Sequence, residues 1–325
     1  MRSKLLLSVW LGAAAALVVA CGNSTPLVTL ETVAVGDANN AADPKTGYGA
    51  VPYEFSIGKY LVTIGQYVAF LNATATVTAD QAIIDLWNED MESPASYVSG
   101  GFVRRTGSGT DKDPYVYSEM VDPSLGNDSE RRAMPNIAWF SAARFANWIH
   151  NGATKGADTE TGAYTLNHAT SGVFLRNPGA RWWVPSEDEW YKAAYFDPTL
   201  AAGGGYWEYP TRSNTRPVKE PPPGLTAGGV NSANYDKTMP DLKKITPVGA
   251  YPNSKSHYGL FDQAGLLWQW NDATYADGTG KPLNRGIRGG SWSLGRLNVS
   301  RLSPRDYPPD YQDDDSGFRL ATVKQ

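Results

Sequence analysis

The sequence predicts a compact, loop-rich domain with few helices and short strands, and two observations carry that reading. The first is composition. The 325 residues include 33 Gly and 22 Pro, which supply turns, and 11 Trp and 18 Tyr, which suit aromatic-lined surfaces. The second is pattern. Two short alternating segments and three stretches of helical spacing are separated by turn-rich chain, with no repeat at a fixed period. Charged residues make up 19%, below the usual ~25% of globular chains, and hydrophobic residues an ordinary 41%. That profile excludes coiled coil, solenoid and disorder. A net charge of -4 leaves no basic footprint for nucleic acid, so a sugar, peptide or small molecule is the more natural partner.

Residues 30–35 alternate and read as a strand, as do residues 53–61, across a Gly/Asn/Asp/Pro loop at 37–49. Thr63-Ile-Gly-Gln66 is a capping box, in which Thr63 caps the Gln66 amide and Gln66 reaches back. The helix it opens carries Tyr67, Phe70 and Leu71 inward. Residues 76–133 are turn-rich and read as an insertion of hairpins and loops. A second helix is predicted over 141–150, with Ala142, Phe145, Ala146 and Ile149 on one face. Ser186-Glu-Asp-Glu189 is a second capping box opening a third helix, which turns Trp190, Ala193 and Ala194 inward. Its three acids resemble a paired-carboxylate site, but a first helical turn favours negative charge, and capping accounts for them. Residues 201–247 are Gly/Pro-rich and predict little regular structure. From 248 to 320, short apolar segments between turns predict short strands.

The N-terminus reads as an export signal. Arg2 and Lys4 precede an apolar run from Leu5 to Ala20 that is too short to span a bilayer comfortably. Val18-Val-Ala-Cys21 resembles a bacterial lipobox. That resemblance implies lipidation of Cys21, a membrane-anchored lipoprotein of the cell envelope, and no other membrane contact. The alternative is an ordinary secretory signal that discards Cys21. Either way the folded body has no disulfide, because Cys21 is the sole cysteine, and the core must hold it. The expected organisation is a signal peptide at 1–20, a tether at 21–31 and one domain at 32–322.

Six ordered segments resemble the formylglycine-generating (sulfatase-modifying factor) family. Gly58-Lys-Tyr60-Leu-Val-Thr63 leads into Gln66-Tyr67 and Phe70-Leu-Asn72, and Pro135-Asn-Ile-Ala-Trp139 leads into Asn147-Trp148. Arg181-Trp-Trp-Val-Pro185 continues to Trp190, and Tyr258-Gly-Leu-Phe-Asp262 continues through Gly265 to Trp268-Gln-Trp270. Arg288-Gly-Gly-Ser-Trp292 and Ser316-Gly-Phe-Arg319 complete the set. The resemblance implies a compact α+β fold with a C-type-lectin-like core, few helices and short antiparallel strands. It is specific for fold and weak for activity, since one fold hosts many functions.

The chain departs from the family where the chemistry lies. The family's oxidase needs two cysteines after the Gly-Gly-Ser-aromatic turn, as soft ligands for Cu(I). Here Leu294 and Val299 stand nearest, so copper is not expected. The family's Gly-Asn-Val-Trp-Glu-Trp motif helps bind a structural calcium, whereas this chain has Leu266 and Gln269 in place of its Asn and Glu, so that calcium site is expected to be lost. The resemblance allows a second calcium around Asn234 and Asp241. An iron-dependent branch of the family needs a three-histidine site on a separate helical domain. This chain has only His150, His168 and His257, scattered. His150 closes a helix, and the other two read as surface residues.

The remaining candidate is the stretch 292–311, which gathers Trp292, Arg296, Asn298, Arg301, Arg305, Asp306, Tyr307, Asp310 and Tyr311. Aromatic and Arg side chains on loops are the usual binding anchors. Some of them also suit the interior: Trp292 fits a core, and Arg301, like Arg319 beyond the stretch, fits a buried ion pair. Two function classes stay open. One is a non-catalytic binding module for a protein, peptide or glycan, including the variable proteins of diversity-generating retroelements. The other is an oxidase or protein-modifying enzyme with substituted chemistry.

Overall fold

Both ends of the domain meet in one sheet. The computed structural model describes residues 25–77, 86–92, 101–121, 128–224, 229–239, 245–276, 279, 282–293 and 295–324. Strands β1 (Thr32–Val35) and β2 (Phe55–Gly58) pair antiparallel, and helix α1 (Ile64–Thr74) follows. The hairpin β3 (Val103–Thr106) and β4 (Val116–Glu119) packs on α1, and α2 (Trp139–His150) comes next. The short β5 (Trp182–Trp183) leads into α3 (Glu187–Tyr195). Two-residue strands β6 (Phe196–Asp197), β7 (Gly205–Tyr206), β8 (Val218–Lys219) and β9 (Ser232–Ala233) occupy the Gly/Pro-rich stretch. The long hairpin β10 (Trp268–Ala276) and β11 (Pro282–Arg288) then forms, followed by β12 (Arg305–Tyr307), β13 (Ser316–Gly317) and β14 (Ala321–Val323). One sheet has the order β1-β2-β14-β5 and is antiparallel throughout. The other has the order β12-β11-β10-β13, with β13 parallel to β10.

Local signals place the helices. Thr63 Oγ1 accepts from the Gln66 amide at 3.3 Å, and Gln66 Oε1 accepts from the Thr63 amide at 3.0 Å. The Ser186–Glu189 box closes in the same way, at 3.1 and 2.7 Å. Glu189 does more than cap: it also accepts from Trp183 Nε1 at 2.9 Å, Arg176 Nη1 at 3.0 Å and the Tyr53 hydroxyl at 2.7 Å.

Three expectations change. Helix α2 begins two residues earlier than predicted and is buried on all sides up to Ile149, not on one face. Its polar residues are satisfied by the chain that follows: Arg144 Nε donates to Glu160 Oε1 at 2.6 Å, and Asn147 Nδ2 donates to the Thr159 carbonyl at 2.8 Å. The C-terminal strands are not uniformly short, because β10 runs nine residues. A bulge between Trp270 and Thr274 bends it, aiming Asn271 at Glu187 (2.7 Å) and Asp272 at the Tyr164 hydroxyl (2.9 Å). Finally, His257 is not a surface residue. It is partly buried, with Nδ1 3.1 Å from Asp197 Oδ1.

The core is aromatic and is crossed by arginines. Trp139, Trp148, Trp190, Trp268 and Trp270 are fully enclosed, as are Arg144, Arg285, Arg288 and Arg319. Arg285 lies over the Trp139 ring at 3.7 Å and donates to the Phe174 carbonyl at 2.8 Å. Arg288 Nε donates to Glu187 Oε1 at 2.5 Å. Arg319 does not make the ion pair expected of it. Its Nε donates to Gln269 Oε1 at 2.7 Å, Nη1 to the Gly58 carbonyl at 2.9 Å, and Nη2 to the Phe261 carbonyl at 2.7 Å. Burial pulls its pKa down to about 10 and pushes that of nearby Asp262 up to about 6.

Candidate functional site

β11 ends at Arg288, and the chain turns through Gly289-Gly290-Ser291. Gly290 has φ +73°, and a Cβ there would lie 2.8 Å from the Asn298 carbonyl oxygen, so glycine is what lets the 296–299 turn pack so closely. Beyond it Ser291 and Ser293 both donate to Asp315 Oδ2, at 2.7 and 2.9 Å. Burial raises the Asp315 carboxyl above its ordinary value, and the two hydroxyls pull it back in part. Trp292 is only 3% exposed, and its Nε1 donates to the Asp314 carbonyl at 3.3 Å. It braces the acidic turn from inside. Val299, at one of the family's thiolate positions, is fully buried, and Leu294 lies outside the described residues.

The stretch from β12 to β13 crosses the end of the second sheet and is held from below by the start of α2. That helix has no side-chain cap; instead, the Trp139 amide donates to the Pro309 carbonyl at 2.9 Å and the Asn136 amide to the Asp313 carbonyl at 3.0 Å. Trp270 Nε1 donates to the Ile137 carbonyl at 2.6 Å. On this base Tyr307 and Tyr311 stack with centroids 4.2 Å apart and 15° between planes, and the Trp270 ring meets Tyr311 edge-on at 6.5 Å. Both tyrosines are half-buried. Burial, with Asp315 and Asp313 nearby, raises the Tyr311 hydroxyl well above its usual value, and that hydroxyl donates to Asp313 Oδ2 at 2.9 Å.

Polar side chains rim the pair. Arg305 donates twice to Asn298 Oδ1, at 3.1 and 2.9 Å, and Asp306 Oδ2 accepts from Asn284 at 2.7 Å. Asp310 is exposed. Between 305 and 315 the sequence has one arginine against five aspartates, matching the chain's whole net charge of -4. Six of the nine candidate residues therefore present a shared surface: Asn298, Arg305, Asp306, Tyr307, Asp310 and Tyr311. Arg296 lies in the adjoining 3-10 turn. Arg301 faces inward, 6% exposed, with Nη1 donating to Asp43 Oδ2 at 2.6 Å and Nε to Glu208 Oε2 at 3.2 Å.

The residues present do not fit the family's metals. Copper would need thiolates where a buried valine stands. For calcium at the Gly265–Trp270 turn, Leu266 is apolar. The Gln269 oxygen already accepts from Trp190 Nε1 at 2.9 Å and from Arg319 at 2.7 Å. Asn234 is buried, and its proposed partner Asp241 lies outside the described residues, as does Cys21. Among the described residues no group of three or more His, Cys, Asp or Glu could hold a metal ion. Sequence reasoning missed Asp43 and Glu208 because their partner Arg301 is far away in the chain. It undervalued Glu187, whose buried pairing with Arg288 exceeds a capping role.

A family model for the sulfatase-modifying factor enzyme 1-like domain matches residues 23–324. The chain is 27% identical over 218 residues to the inactive C-alpha-formylglycine-generating enzyme 2 of Mus musculus, covering 64% of each. It is 29% identical over 162 residues to the hercynine oxygenase of Mycolicibacterium smegmatis, covering 44% of this chain and 33% of that protein. The chain thus spans less than two thirds of the length of either relative. Among solved structures, Treponema denticola variable protein 1 shares the fold with a TM-score of 0.53 at 18% identity, over 90% of this chain and 95% of that one. With its α+β, C-type-lectin-like fold, the chain belongs to the formylglycine-generating, sulfatase-modifying factor family.

Proposed function

We propose that this chain is an exported, lipid-anchored binding module that does not make formylglycine. One observation carries the reading: the folded body has no thiol at all, with Leu294 and Val299 where the oxidase would need thiolates. The surface just beyond those positions supports binding. A stacked tyrosine pair in an acidic rim offers flat faces to a sugar or to a cationic side chain, and its carboxylates oppose an anionic ligand. The ligand is accordingly a glycan, or a protein or peptide with exposed basic groups. The membrane is met only through lipidated Cys21. A second reading, supported by the fold shared with the Treponema denticola variable protein, is that this surface is diversified. A neighbouring reverse transcriptase with a template repeat matching codons 288–320 would establish it.

Three outcomes test the reading. Purified protein is expected to bind no stoichiometric copper and to leave a cysteine-containing sulfatase peptide unoxidised; an aldehyde product overturns the non-catalytic assignment. On glycan and basic-peptide arrays the Tyr307→Ala/Tyr311→Ala variant is expected to lose about tenfold or more of wild-type capture while keeping its circular dichroism spectrum. Undiminished capture would move the site elsewhere. Cys21→Ala is expected to shift the protein from the membrane pellet to the soluble fraction, and continued pelleting contradicts a lipid anchor.

A further inference from the structure

We propose that the cavity floored by Arg301 is a second binding subsite, for a neutral polyol of monosaccharide size. The cavity measures about 300 Å³, at the lower end of the roughly 300–1,000 Å³ of small-molecule pockets. Arg301 Nη1 donates to Asp43 Oδ2 at 2.6 Å and to the Tyr206 carbonyl at 3.0 Å, and its Nε donates to Glu208 Oε2 at 3.2 Å. The Nη2 amine makes none of these bonds. Arg301 lines the cavity, and we take its two Nη2 N–H groups as the donors offered there. Asp43 supplies acceptor capacity beside it: Oδ1 accepts one bond, from the Lys45 amide at 2.9 Å. Apolar surface comes from Ala41 and from the Phe196 and Tyr206 rings, 5.1 Å apart at 61°. The loop closes onto the first of these rings through Gly204 (φ +89°), where a Cβ would lie 2.4 Å from Phe196 Cζ.

Charge selects the ligand class. Asp43 and Glu208 are balanced by Arg301 and by Lys45, exposed at the mouth, so neither an anion nor a cation gains net attraction. Donors and acceptors set beside an apolar lining in a neutral surround match a hydroxyl-rich ring. The assignment rests on the binding reading above, since Arg301 belongs to the same segment, but it uses different side chains from the tyrosine pair.

Saturation-transfer NMR tests it, with glucose, galactose, mannose and N-acetylglucosamine as neutral probes and glucuronate and glucosamine as charged ones. At least one neutral sugar is expected to receive transfer. Ala41→Trp, which fills the mouth from an exposed position outside the ion pair, is expected to weaken that binding about tenfold or more. The Tyr307→Ala/Tyr311→Ala variant is expected to keep the sugar signal, so failure at that surface and failure at this cavity read out separately. The assignment is overturned if no neutral sugar binds, if only charged probes bind, if Ala41→Trp binds unchanged, or if the signal disappears with the tyrosines.

Discussion

Arg319 holds oxygens from three distant segments: the Gln269 amide, the Gly58 carbonyl 261 positions earlier, and the Phe261 carbonyl. The fold depends on this kind of contact. A loop-rich domain without disulfides must still fix long stretches of irregular chain, and its backbone polar groups need partners once buried. A guanidinium does both, because five donors in a rigid fork can bind carbonyls from separate loops at once. Arg285 reaches the Phe174 carbonyl across 111 positions, Arg288 reaches Glu187 across 101, and Arg301 reaches Asp43 across 258. Arg285 lies over the Trp139 ring and Arg288 beside the Tyr48 and Tyr191 rings, where exclusion of water strengthens the bonds each makes.

The same cross-links explain how the frame holds without a thiol beside the Gly-Gly turn. Arg288 fixes the start of the Gly-Gly turn from below, through Glu187, and Asp315 fixes the turn's other side through Ser291 and Ser293. Neither contact uses a thiol. Position 299 can therefore hold a buried valine without disturbing the turn, while the chain from 305 to 311 rests on α2 through backbone bonds indifferent to side-chain identity. A rigid base carrying a freely substitutable surface suits binding.

What was legible in the sequence was local. The Thr63 and Ser186 capping boxes state their own geometry within four residues, and both closed as read. The ordered motifs marked the family because they are the core's fixed points. Helix α2 was misjudged because a hydrophobic pattern cannot announce that Arg144 and Asn147 will be buried against loops that follow. Within the candidate stretch, sequence expected a buried ion pair of Arg301 but could not say which carboxylates would complete it. Arg301 finds carboxylates at 43 and 208, whereas Arg305 donates to Asn298 and lies 5.8 Å from the Trp268 ring centroid. Spacing along the chain holds no record of such partners.

The most direct test of this account is urea unfolding of Arg319→Met beside Arg305→Met. Loss of the buried guanidinium takes a donor from the Gly58 and Phe261 carbonyls and from Gln269, which keeps only Trp190, and the account predicts a stability loss of about 3 kcal/mol or more, against ~0.5 kcal/mol or less at exposed Arg305. Equal midpoints for the two variants would contradict the claim that buried guanidinium cross-links hold the domain together.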